Sequence, residues 1–102
     1  MRVILKDILK DKSYTDGGYD LYTIAEKAMI KGDVVILDMQ DVPSIPTLFM
    51  NTSFGDLMTN FGIEKTKRLF LFNNINKALF ERIQTYFNKY EIFLNATTET
   101  IS

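Results

Sequence analysis

The segment Val34-Val35-Ile36-Leu37-Asp38 decides the fold, together with the turn Met39 to Pro46 and the run Thr47 to Phe61 behind it. An unbroken apolar stretch ending in Asp reads as a strand buried on both faces, because a half-exposed strand would alternate. In the run that follows, Met50, Phe54, Leu57, Met58 and Phe61 share one side at helical spacing. The connecting loop therefore lies between the carboxyl end of a buried strand and the amino end of a helix. Open α/β folds put their working surface there.

Outward from this unit the alternation repeats. Val3 to Leu9 is mostly apolar with Lys6 and Asp7 interposed, which predicts a more exposed strand. Ser13 to Gly18 predicts a turn, since Asp16-Gly17-Gly18 tolerates positive φ. A helix is predicted from Asp20, with Leu21, Ile24, Ala25, Ala28 and Met29 on one face and Gly32 as a left-handed stop. Gly62 ends the helix that begins at Thr47. Within Arg68 to Asn73, the run Leu69-Phe70-Leu71-Phe72 reads as a second doubly buried strand. Asn76 is a natural N-cap, flanked by Ile75 and Phe80 as a hydrophobic staple. The helix it opens turns Leu79, Ile83, Tyr86 and Phe87 inward. Tyr90 to Asn95 reads as an edge strand, and residues 96–102 as a flexible polar tail on a single domain spanning 1–95. The expected fold is α/β: a small, mainly parallel or mixed sheet of four to five strands with three helices, joined by right-handed crossovers. Val35, Leu37, Phe54, Leu57, Leu69, Leu71, Leu79 and Ile83 should form its core.

Composition narrows the chemistry. A chain of 102 residues makes one domain, burying about two-thirds of the surface its unfolded form exposes. The net charge is −1 with scattered Lys and Arg, so no basic field attracts phosphate backbones and nucleic-acid binding is not expected. No apolar run approaches the roughly 18 residues of a membrane span. The start Met-Arg-Val-Ile-Leu-Lys-Asp lacks the apolar core of a secretory signal, making the cytoplasm the expected location. Cys and His are both absent. That removes zinc sites built on nitrogen or sulfur, Ser-His and Cys-His nucleophiles, and the commonest general base. No catalytic residue, metal or cofactor is expected.

Few candidate sites remain. Asp38 at a strand end has the position of a phosphate acceptor, but that chemistry needs further carboxylates for magnesium and a Lys closing a later strand. The expected first strand ends in Leu9-Lys10, the third in Asn73-Asn74, and no Lys closes the fourth. Asp38 is expected instead to hydrogen-bond backbone amides of the following turn. Of the hydroxyls Ser44, Thr47, Thr52 and Ser53, Thr47 should cap the helix. Tyr14, Tyr19 and Tyr22 with Asp16 offer an amphipathic contact surface of an ordinary kind. Gly17-Gly18 lacks the spacings of phosphate-binding loops.

The passage Val-Val-Ile-Leu-Asp-Met-Gln-Asp-Val, followed by a short loop and an amphipathic helix, resembles the anti-sigma-factor antagonist (STAS) domains. More closely, Leu37 to Val42, Pro46 to Leu57 and Arg68 to Asn74 resemble the STAS-like domain family of bacterial proteins, over about Asp20 to Asn88. The resemblance implies a non-catalytic interaction module in signalling or regulation. Its implied partner is a histidine-kinase-like ATPase or an anti-sigma-type regulator. In the antagonists an Asp-Ser-Ser-Gly segment opens the helix, and its first Ser is phosphorylated by the partner kinase. Counted from Asp38, that segment falls on Pro46-Thr47-Leu48-Phe49, which makes Thr47 the phosphoacceptor candidate. Pro46, Leu48 and Phe49 depart from the antagonist pattern. The implied partner surface comprises Asp38, Asp41, Ser44, Thr47 and Asn51. Two other readings are a small-molecule or nucleotide binder, or enzyme, using Asp38 and Asp41 as polar anchors, and a homodimeric scaffold.

Overall fold

A computed structural model describes the backbone of residues 1–101 and the side chains of residues 1–96. The strand β1 (Arg2–Ile4) runs directly into α1 (Leu5–Leu9), and α2 (Tyr14–Lys31) follows. Next come β2 (Val35–Asp38), α3 (Thr47–Met50), a π-helical turn (Asn51–Gly55) and α4 (Asp56–Phe61). The chain ends with α5 (Ile63–Leu69), β3 (Phe70–Asn73) and α6 (Lys77–Ile101). Because α3, the π turn and α4 are continuous over residues 47–61, the described residues form three strands and five helical rods.

The three strands pair in the order β1-β2-β3, all parallel, with Val3 opposite Leu37 and Leu37 opposite Phe72. Each parallel pair needs a crossover, and two right-handed crossovers in the same direction put their helices on one side of the sheet. The side chains record this. Val3, Val35, Leu37 and Phe70 turn toward the helices and are buried. On the other face Ile4 is 42% exposed and Leu71 54% exposed. Between the helices and the sheet, Phe54 of the π turn is the centre of an aromatic cluster. Its ring lies 5.0 Å from Phe70 edge-on and 5.3 Å from Phe87 of α6.

Local sequence explains most element ends. Ser13 caps α2, its Oγ accepting from the Asp16 amide at 3.1 Å. Gly32 closes α2 in the left-handed region at φ 71°, and Gly62 separates α4 from α5 at φ 94°, where a Cβ would be strained. Asn76 caps α6 through Oδ1, which accepts from the Leu79 amide at 2.8 Å.

Several expectations need correction. Among the described residues the sheet has three strands, not four to five, and the helical rods number five, not three. Val3 to Leu9 is a strand only to Ile4; Leu5, Ile8 and Leu9 recur at helical spacing, and α1 takes over. The predicted turn Ser13 to Gly18 lies in the first turns of α2, so that helix starts at Tyr14 and not at Asp20. Tyr90 to Asn95 is helical, because Tyr86, Tyr90 and Leu94 continue the inner stripe of α6. Strand β3 is buried on one face only. Leu71 therefore lies outside the core, whereas Val35, Leu37, Phe54, Leu57, Leu69, Leu79 and Ile83 lie in it. The backbone of α6 is helical through Ile101; the expected tail 96–102 falls mostly on side chains, and on Ser102, outside the described residues.

Candidate functional site

The carboxyl ends of the three strands meet at Asp38. Its Oδ1 accepts from the Gln40 amide at 3.0 Å and from Asn74 Nδ2 at 3.0 Å, and its Oδ2 accepts from the Arg2 guanidinium at 2.5 Å. Arg2 belongs to β1, Asp38 to β2, and Asn74 follows β3. One carboxylate at the end of β2 thus joins the first residue of β1, which reaches along the sheet to it, and the residue that follows β3. Asp38 is only 1% exposed. The Asn74 amide, the Arg2 guanidinium and the Gln40 amide hold its pKa down to about 2. Three donors on one carboxylate orient it as a structural acceptor, which matches the turn role expected from sequence. Asn74 reaches it from a left-handed backbone at φ 54°, a conformation Asn adopts more readily than most residues.

The β2–α3 loop is pinned on both sides. Met39, Val42 and Ile45 are buried in the core. The Met39 amide donates to the Asn73 carbonyl at 2.8 Å, and Asn76 Nδ2 donates to the Pro43 carbonyl at 3.0 Å. Asn76 therefore serves two roles, capping α6 and clamping the loop. Fixed in this way, the loop presents an outer surface of constant shape.

On that surface the sequence-derived candidates separate into groups. Asp41, left-handed at φ 63°, is exposed and pairs with Lys6 at 3.2 Å. Ser44 is exposed beside it. Lys6, Lys10, Tyr14, Asp41 and Ser44 line a groove of about 560 Å³ between α1 and the loop. Thr47 is exposed at the first position of α3, and Leu48 beside it is 62% exposed. The cap of α3 is Pro46, which makes no side-chain hydrogen bond, so Thr47 does not have the capping role expected of it. Asn51, one turn further, is engaged elsewhere: its Oδ1 accepts from the Tyr86 hydroxyl at 2.7 Å. Burial raises the Tyr86 pKa above the usual phenol value, with the nearby Tyr90 and Asp56 adding to the shift.

Behind this surface the α3–α4 rod lies close against α2. Thr52 Oγ1 donates to the Thr15 carbonyl at 3.0 Å, and Gly17 and Gly18 are buried at the crossing. Among the described residues no group of three or more acidic residues converges on a metal site, and no helix is long and apolar enough to cross a membrane. Sequence reading missed Arg2, Lys6 and Asn74, and gave Asn76 its capping role but not its hold on the loop. Asn74 carries a visible signal, an amide directly after a strand; Arg2 and Lys6 emerge only from the sheet register and the loop path.

Three parallel strands with all their helices on one face, and a pinned loop opening a helix at the strand ends, define a STAS-like α/β domain. A family model described as a STAS-like domain of unknown function (DUF4325) matches residues 18–80, and the chain belongs to this family. The match begins within α2, takes in β2, the loop, the α3–α4 rod, α5 and β3, and stops in the first turn of α6. No curated protein and no solved structure matches the chain.

Proposed function

We propose that this domain is a non-catalytic protein-interaction module of bacterial signalling or regulation, and that it binds through the exposed side of the 41–51 segment. The observation that carries this reading is Leu48. This leucine, 62% exposed on the first turn of α3, stands in a segment whose neighbours Ile45, Phe49 and Met50 are buried. Exposed apolar side chains on a rigid frame make better anchors than ones on mobile segments, because little conformational freedom is lost on binding. Ser44 and Thr47 supply hydrogen-bonding groups around Leu48, and the Lys6–Asp41 pair adds balanced charge at the rim. Asp38 supports the loop from beneath. By family resemblance the partner class is a histidine-kinase-like ATPase or an anti-sigma-type regulator.

Within this reading Thr47 is where a phosphate would act. It would add about −1.5 to −2 charges beside Leu48, disrupting an apolar contact by desolvation. It would also sit at the amino end of a helix whose first-turn amides lack a side-chain cap. The test is capture of partners from the native host with wild type, Leu48→Asp, Thr47→Ala and Thr47→Glu. Loss of a specific partner with Leu48→Asp and Thr47→Glu, and its retention with Thr47→Ala, is the expected pattern. Equal capture by all four, or a saturable thermal shift with a metabolite that Asp41→Ala removes, would overturn the reading in favour of a small-molecule binder.

A further inference from the structure

Strand β3 leaves one edge open. Asn73 accepts from Met39 of the β2 side, and backbone groups of successive strand residues alternate sides. The amide and carbonyl of Phe72 consequently point away from β2, as does the carbonyl of Phe70, and the described residues supply no fourth strand to meet them. Proteins usually blunt such an edge with charge, proline or a covering segment. The opposite edge of the sheet carries Arg2. Phe70-Leu71-Phe72-Asn73 has neither a charge nor a proline.

Beside this open edge lies a groove of about 470 Å³ between β3 and α6, floored by Phe70, Phe72, Phe80, Ile83 and Phe87. The one charged side chain lining it is Lys67, whose ion pair with Glu91 is exposed and long at 3.5 Å. Such a pair is readily exchanged for a better partner.

We propose that the β3 edge is a strand-addition site for an extended peptide segment of a partner protein, with alternate apolar residues and an acidic residue at the end that meets Lys67. The main chain of the segment pairs with Phe70 and Phe72. Its apolar side chains, all on one face, fill the groove against α6, as in other edge-augmented sheets. The positive charge of Lys67 selects an acidic terminus over a basic one. This surface is separate from the 41–51 segment and stands whether or not that segment binds a partner.

The test uses the whole chain, labelled with nitrogen-15, and short acetylated and amidated peptides of alternating Val and Thr with a Glu at one or the other end. Amide shifts confined to β3 and α6, with slowed hydrogen exchange at Phe72, are the expected result. Alternate N-methylation of the peptide should abolish binding. Lys67→Glu should weaken the Glu peptides by about two- to fivefold, the weight of an exposed ion pair, and strengthen otherwise identical Lys peptides. The proposal is overturned by an absence of shifts at millimolar peptide, by equal binding of the N-methylated form, or by indifference to Lys67→Glu. Decanoate shifting the groove resonances where peptides do not would assign the groove to small amphiphiles. Concentration-dependent protection of β3 with a sedimenting dimer would assign the edge to a second copy.

Discussion

Replacing Gly18 by Ala should destabilise the fold although it improves a helix. A Cβ built at Gly18 would overlap Thr52 Oγ1 and lie 2.7 Å from the Phe49 carbonyl oxygen and 3.0 Å from Thr52 Cβ. Rotating Thr52 relieves the first contact but breaks its hydrogen bond to the Thr15 carbonyl, at a cost of about 0.5–1.5 kcal/mol. The contact with Phe49 involves backbone, so α2 and the α3–α4 rod must separate, and forced expansion of a packed site costs about 1–3 kcal/mol. Ala in place of Gly within a helix returns about 1 kcal/mol. The net loss should be about 1–3 kcal/mol, a fall in Tm of very roughly 5–15 °C for a domain of this size. Gly17 is the internal control. Its Cβ would meet the flexible end of Leu9 at 2.9 Å, so Gly17→Ala should be within about 1 kcal/mol of wild type. Urea denaturation of both variants, with Gly18→Ala/Thr52→Ala to show partial rescue, decides the matter. A Gly18→Ala protein as stable as Gly17→Ala would refute the close crossing of the two helices.

Three further outcomes are expected. Leu37→Ala, at a fully buried position, should cost about 2–5 kcal/mol, and Leu71→Ala on the open face well under 1 kcal/mol; equal midpoints would contradict the one-sided sheet. Asp38 has a folded pKa of about 2, below the unfolded value near 4, so its stabilising effect is complete above pH 4 and is lost as pH falls toward 2. Asp38→Asn should remove that portion of the acid unfolding profile, and an unchanged profile would deny the Arg2–Asp38–Asn74 network. For Tyr86 the folded pKa is raised, so stability should fall above about pH 10, where the unfolded chain ionises first. Tyr86→Phe should remove this alkaline loss, read as the change in urea midpoint between about pH 8 and about pH 11, and an unchanged loss would deny the burial of the Tyr86 hydroxyl.

The elements around β2 were legible because several signals agreed there. Val35 to Asp38 is apolar and bounded, the rod behind it has clear helical spacing, and Gly32, Gly62 and Asn76 mark ends that the backbone respects. The same apolar run misled on burial: Ile36 and Leu71 are apolar yet face outward, so the missing alternation did not mean a second covered face. Gly17 and Gly18 were read as a turn, but here their lack of a Cβ serves a helix crossing, and the Ser13–Asp16 cap was the better guide. At the candidate site, Asp38 was legible as a turn acceptor. Its Arg2 partner was not, since Arg2 and Asp38 approach only once β1 and β2 are in register.

The purely parallel pairing also constrains how the chain reaches its native state. Arg2 pairs with Ile36 and Val35 with Phe70, so no two neighbouring strands are joined by a hairpin and neither pairing is local. A sheet of this kind has no nucleus of its own, and the loop-closure entropy of each pairing must be met by helices already packed on one another. The crossing of α2 with the α3–α4 rod is therefore the natural platform for assembly. During synthesis β1 precedes β2 and must wait for it, and β3 completes the sheet only after α2, β2, the α3–α4 rod and α5 have all emerged. Until then the apolar strand segments stand unpaired, and their protection rests on how quickly the two helices find each other.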